Sequence, residues 1–129
     1  MNLLDSSAWL AFFADEINAE KFAEILVSPE ELVVPTVVIY EVFKVLIRES
    51  GEDDALQAYA AMSQGIVLDV NSRLALESAR LSLLHRLPMA DSIILASAQS
   101  MDATLWTQDA AFRDIPGVKY FPKRCRPTT

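Results

Sequence analysis

The chain has 129 residues, of which 52% are hydrophobic and 22% charged, enough for one domain with its own core and too apolar for a disordered chain. Eighteen acids against 11 bases give a net charge of −7, which argues against a protein that binds nucleic acid over its whole surface. One cysteine, Cys125, and one histidine, His85, exclude an intramolecular disulfide, a cysteine-cluster zinc site and a two-histidine metal motif, and make a Ser-His-Asp hydrolase a poor reading.

Short β-type runs alternate with longer helical ones, the pattern of a parallel sheet flanked by helices. Met1–Leu4 predicts a strand that stops at Asp5, followed by helices over Ser6–Ala14 and Ala19–Val27. Leu32–Val34 reads as a second strand, stopped by Pro35. Thr36–Ser50 is helical, with Gly51 as its stop, and Glu52–Gln64 is a further helix ended by Gly65. Ile66–Asp69 is a strand, and Asn71 or Ser72 caps a helix running to Arg86. After the break at Leu87-Pro88 a helix covers Met89–Ser100, then come a strand at Ala103–Trp106, a brief helix near Asp109 and a last strand at Val118–Phe121.

In open α/β sheets ligands gather at the carboxyl ends of the strands. Asp5 directly follows the first strand, and Asp109 follows Leu105-Trp106-Thr107 by two residues. Asp91 lies in the first turn of its helix, and Glu41 one to two turns into the helix after Pro35. Each has a plain structural explanation. Asp5 and Asp109 are good helix caps, and Asp91 complements a helix dipole. Glu41, Lys44 and Arg48 share one face of an otherwise apolar helix expected to be largely buried, either as a solvent stripe with a Glu41–Lys44 pair or as an opening onto a polar cleft. Jointly placed, the four carboxylates would repel one another and need a cation. Oxygen ligands without His or Cys suit Mg²⁺ or Mn²⁺, and such an ion activates water against a phosphodiester.

The segments Leu3-Leu4-Asp5-Ser6-Ser7-Ala8, Val33-Val34-Pro35-Thr36 with Glu41, Leu87-Pro88-Met89-Ala90-Asp91-Ser92-Ile93-Ile94-Leu95-Ala96-Ser97-Ala98 and Leu105-Trp106-Thr107-Gln108-Asp109-Ala110-Ala111-Phe112 resemble a PIN-domain ribonuclease. In size and motif order the chain is similar to the VapC-type toxins of toxin–antitoxin pairs. The resemblance spans nearly the whole chain. It implies a single PIN-like domain over 1–129, three-layer α/β/α, with a short, mainly parallel five-stranded sheet. It also implies Mg²⁺ (or Mn²⁺) held by Asp5, Glu41, Asp91 and Asp109, with the hydroxyls of Ser6 and Thr107 orienting these ligands. RNA would be the substrate, a cognate antitoxin the partner, and a homodimer the usual assembly. Ser92 departs mildly from the family pattern, and Asp114 is a lesser alternative to Asp109.

The charge is uneven. Residues 119–129, the last strand and tail, hold Lys119, Lys123, Arg124 and Arg126 and no acid, which leaves the first 118 residues with 7 bases against 18 acids. This is either a frayed tail or a phosphate-contacting strip on which Tyr120 and Phe121 stack bases, and Lys44 and Arg48 are further backbone contacts. Trp9, Phe12, Phe13 and Phe22 read as core or dimer face, and Leu56, Tyr59, Ala60 and Met62 as a further interface. His85 reads as a helix-end cation and Cys125 as a bystander. No basic segment precedes the first apolar run, Ala8 to Ala14, and no stretch nears the ~20 apolar residues of a membrane helix, so a cytoplasmic protein is expected. A phosphoaspartate enzyme fails on Ser7, where D-x-D needs a second acid. The remaining rival is a catalytically inactive PIN-like domain that binds protein or RNA and keeps the acids only as caps.

Overall fold

The computed structural model describes residues 1–124, so Cys125, Arg126 and the rest of the predicted tail lie outside the described residues. The elements, in order, are β1 (Asn2–Leu4), α1 (Ser6–Phe13), α2 (Ala19–Leu26), a 3₁₀ turn at Pro29–Glu31, β2 (Leu32–Pro35), α3 (Thr36–Ser50), α4 (Glu52–Met62), β3 (Ile66–Leu68), α5 (Ser72–His85), α6 (Met89–Ser100), β4 (Thr104–Thr107), a 3₁₀ turn at Ala110–Phe112 and β5 (Val118–Tyr120). All five strands are parallel, in the order β3-β2-β1-β4-β5.

Helices cover both faces, as a parallel sheet requires, giving three α/β/α layers. Leu3 and Leu4 of β1, Leu32 to Val34 of β2 and Leu105 of β4 are fully buried or nearly so. Trp9, Phe22, Val38, Val42, Ile94, Leu95 and Phe112 close over them from the helices and the second 3₁₀ turn. Gly65 brings the chain into β3 against β2. A Cβ there would stand 2.9 Å from both the Leu32 carbonyl oxygen and Val34 Cγ2, so only glycine fits without displacement. Gly51 ends α3 at φ +97°, a conformation that favours glycine. No described helix is long and apolar enough to cross a membrane.

Two expectations change, and a third is narrowed. α3 is not largely buried: Val38 and Val42 are buried, but Tyr40 and Ile47 are exposed, because the sheet covers only one stripe of the helix. Met62 belongs to the core rather than to an interface, while Leu56 and Tyr59 of the same helix are exposed. Trp9 and Phe22 are core, and Phe12 and Phe13 pack against it partly buried. α5 and the start of α6 leave Leu76, Leu83, Leu84 and Met89 uncovered, with Leu83 85% exposed.

Candidate functional site

Strand order reverses about β1: β2 and β3 lie on one side, β4 and β5 on the other. The crevice between the carboxyl ends of β1 and β4 is therefore the switch point where an open α/β sheet binds its ligand. Asp5 leaves β1 there and Thr107 ends β4, with Leu4 paired to Trp106.

Asp5 is buried and caps α1, its Oδ1 accepting from the Ala8 N–H at 2.9 Å. The same oxygen accepts from Ser7 Oγ at 2.6 Å, and Oδ2 accepts from Thr107 Oγ1. The cap and the site are thus one carboxylate. Glu41, on α3, accepts from Ser6 Oγ at 3.0 Å. It makes no pair with Lys44, whose ammonium lies over the Tyr40 ring at 5.6 Å. Asp109 caps the second 3₁₀ turn through the Ala111 N–H at 2.9 Å. Asp91 sits in the first turn of α6.

The electrostatics tie the four acids together. Burial pushes the Asp91 carboxyl up to about 7, and the negative charges of Asp109, Glu41 and Asp5 push in the same direction. A side-chain interaction with Asp109 adds to this and favours the protonated form of Asp91. Burial also raises Asp5 to about 6, with Asp109 adding to it, against the opposing pull of the Ser7, Thr107 and Ala8 donors. The structure therefore brings Asp5, Glu41, Asp91 and Asp109 into one field of unneutralised negative charge. Even so, no three His, Cys, Asp or Glu side chains among the described residues stand grouped as a ready-made metal cage. The donor set consists of oxygens alone, and its excess charge is of the kind a hard divalent cation offsets.

Of the two hydroxyls named from the resemblance, Ser6 donates to Glu41 and Thr107 to Asp5. Ser7, read from the sequence only as the position where D-x-D would need an acid, is the residue that was missed. It holds Asp5 and accepts the Gln108 N–H at 2.9 Å. Two adjacent hydroxyls at a helix start, able to reach different carboxylates, were the available signal. A second missed feature is the buried Asn18, whose side-chain amide donates to Gln108 Oε1 at 2.8 Å and to the Pro122 carbonyl at 3.0 Å.

Phe121 does not offer a free face for base stacking. Its ring stacks on Trp106 at 5.7 Å and carries the Lys21 ammonium 4.4 Å from its centre. Lys119 lies over Trp106 in the same way, at 4.7 Å. Asp114 ion-pairs loosely with Arg113 on the surface and is not among the groups that act on Asp5 or Asp91. A groove of about 480 Å³ is lined by Ser7, Phe13, Leu46, Arg48, Gln108 and Lys123, and none of the four acids lines it. A cavity of about 580 Å³ between β3, α5 and α6 contains none of the four acids.

The PIN domain family model matches residues 3–118. Among solved structures, a toxin–antitoxin complex from Klebsiella pneumoniae superimposes with a TM-score of 0.79 at 24% identity, covering 92% of this chain and 96% of that one. VapC20 of Mycobacterium tuberculosis, a toxin that cleaves the sarcin–ricin loop, gives 0.73 at 18% identity, covering 87% and 92%. A DNA-bound VapBC from Salmonella typhimurium gives 0.71 at 16%, covering 95% and 98%. At these identities the likeness establishes the fold. No curated protein matches the chain.

Proposed function

Because the chain belongs to the PIN-domain family, we propose that it is a metal-dependent endoribonuclease, the toxin of a VapBC-type toxin–antitoxin pair. The observation that carries this reading is the mutual repulsion of Asp5, Glu41, Asp91 and Asp109 at the switch point of the sheet. A fold bears such a cluster when a cation occupies it in use.

Asp5 and Asp91 would be the principal ligands of Mg²⁺ or Mn²⁺, with Glu41 and Asp109 completing the ring. The bound ion supplies an activated water at neutral pH and steadies charge on the phosphodiester. The protein's own part is positional. Ser6 fixes Glu41, and Ser7 and Thr107 fix Asp5. Arg48 and Lys123 line the groove that Ser7 also lines and would meet the RNA backbone, the role such cations play in phosphate contacts.

The toxin reading draws on the solved relatives, which include a toxin–antitoxin complex, a DNA-bound VapBC and an RNA-loop-cleaving toxin. By the same reading the partner is a cognate antitoxin and the chain forms a homodimer, for which the uncovered leucines of α5 offer an apolar face.

The deciding experiment is cleavage of RNA by the purified protein in Mg²⁺ against EDTA, with the product ends mapped. Cleavage in Mg²⁺ alone is expected. A protein that binds RNA in either buffer and cuts it in neither is the inactive binding module instead.

A further inference from the structure

Resting on the metal-dependent reading above, we infer that Asp5 offers the ion one oxygen only, Oδ2, because Ser7 and the first turn of α1 occupy the other. A carboxylate oxygen has two lone-pair sites. At Oδ1 both are taken, one by the Ala8 N–H at 2.9 Å and one by Ser7 Oγ at 2.6 Å. At Oδ2 the sole donor among the described residues is Thr107 Oγ1, which leaves one lone pair open.

The backbone decides where each hydroxyl proton points. The Gln108 N–H donates to Ser7 Oγ at 2.9 Å, which engages the oxygen's acceptor side. The single Ser7 proton then goes to the nearer partner, Asp5, rather than to Thr107 Oγ1 at 3.4 Å. Thr107 is set in the same manner: the Asp109 N–H donates to its Oγ1 at 2.9 Å, and its proton goes to Asp5 Oδ2. Two consecutive N–H groups beyond β4 thus aim two hydroxyls, one at each oxygen of a single carboxylate. The loop that carries them is braced by Gln108 Nε2 on the Ser7 carbonyl at 3.3 Å and by Asn18 on Gln108. Ser7 is a positioning residue, acting through Asp5.

This arrangement has a consequence for which ion is held. Mg²⁺ is small and octahedral and is satisfied by single oxygens, whereas Ca²⁺ is larger and accepts a carboxylate through both. Ser7→Ala frees the second lone pair of Oδ1 and lets the carboxylate turn. It places a good helix former in the first turn of α1, at a partly exposed position, so the fold is retained.

The test is Mn²⁺ binding to the whole protein, read by electron paramagnetic resonance, with Mg²⁺ and Ca²⁺ as competitors. Ser7→Ala is expected to weaken Mn²⁺ by about 10-fold, the low end for loss of a group that orients a ligand. It should also move the Ca²⁺-to-Mg²⁺ preference towards Ca²⁺. Ser7→Thr, which keeps the hydroxyl, restores both. Wild-type affinity and preference in Ser7→Ala, or a Ser7→Thr that behaves as Ser7→Ala, overturns the inference while leaving the nuclease reading intact. A wild-type protein that binds no Mn²⁺ overturns both.

Discussion

Replacing Asp91 by Asn tests whether the acids crowd one another. Asp91 stands at about 7 against an ordinary 3.8, raised by burial and by Asp109, Glu41 and Asp5. A carboxyl that holds its proton more tightly in the folded chain than in the unfolded one makes the fold less stable as pH climbs. The loss falls between about 4 and about 7, and below that window the group makes no difference. At about 1.36 kcal/mol per pH unit, keeping Asp91 charged at pH 8 costs the metal-free fold about 4 kcal/mol at most. Its side chain is only partly buried, so solvent screening brings the working value to about 2 kcal/mol. Asp91→Asn removes that charge. In EDTA at pH 8 the variant should therefore melt later than wild type by roughly 5–8 °C for a chain of this size. The gap should close by pH 4, where both proteins are neutral at this position. Both should retain the smaller decline due to Asp5, which titrates at about 6. Mg²⁺ should then reverse the order, lifting wild type by about 2.7 kcal/mol at a hundred times its Kd and the variant by much less. Thermal melts from pH 4 to pH 8, with EDTA or with Mg²⁺, read all of this. A difference between the two proteins that does not depend on pH, or a variant that melts earlier than wild type at pH 8 in EDTA, refutes the reasoning.

Asp5→Asn should lower RNA cleavage by more than about 100-fold while the circular dichroism spectrum stays native, since the amide keeps an acceptor for the cap and loses the charge. Arg48→Ala with Lys123→Ala should raise KM for RNA and flatten its dependence on salt with kcat little changed, as measured by initial rates across ionic strength. Gly65→Ala should cost about 1–3 kcal/mol in urea denaturation, because the new methyl meets the Leu32 carbonyl, which belongs to the backbone and cannot swing aside. Leu83→Glu should move the mass measured by light scattering from dimer to monomer, and a dimer that persists places its interface elsewhere.

Most of the fold was legible because the punctuation in this sequence is local. Pro35, Gly51 and Pro88 mark the boundaries around α3 and the start of α6, and both helices fall on their expected residues. Burial around α3 was not legible. An apolar sequence shows how much surface a helix could hide, whereas how much of it is covered is a property of the assembled layers, which leave Tyr40 and Ile47 exposed. At the site, the acids could be placed at strand ends from chain order alone. The role of Ser7 could not, since its partner Gln108 lies 101 residues away and the contact exists only once β1 pairs with β4. Phe121 shows the converse: an aromatic beside cations in sequence looked available to a base, yet Trp106 and Lys21 had already claimed its faces.

The parallel order of the sheet also sets when the site can assemble. Asp5 is made 102 residues before Thr107, the hydroxyl at the end of β4 that fixes it. A partly synthesised chain accordingly carries the first carboxylate with no formed cleft around it.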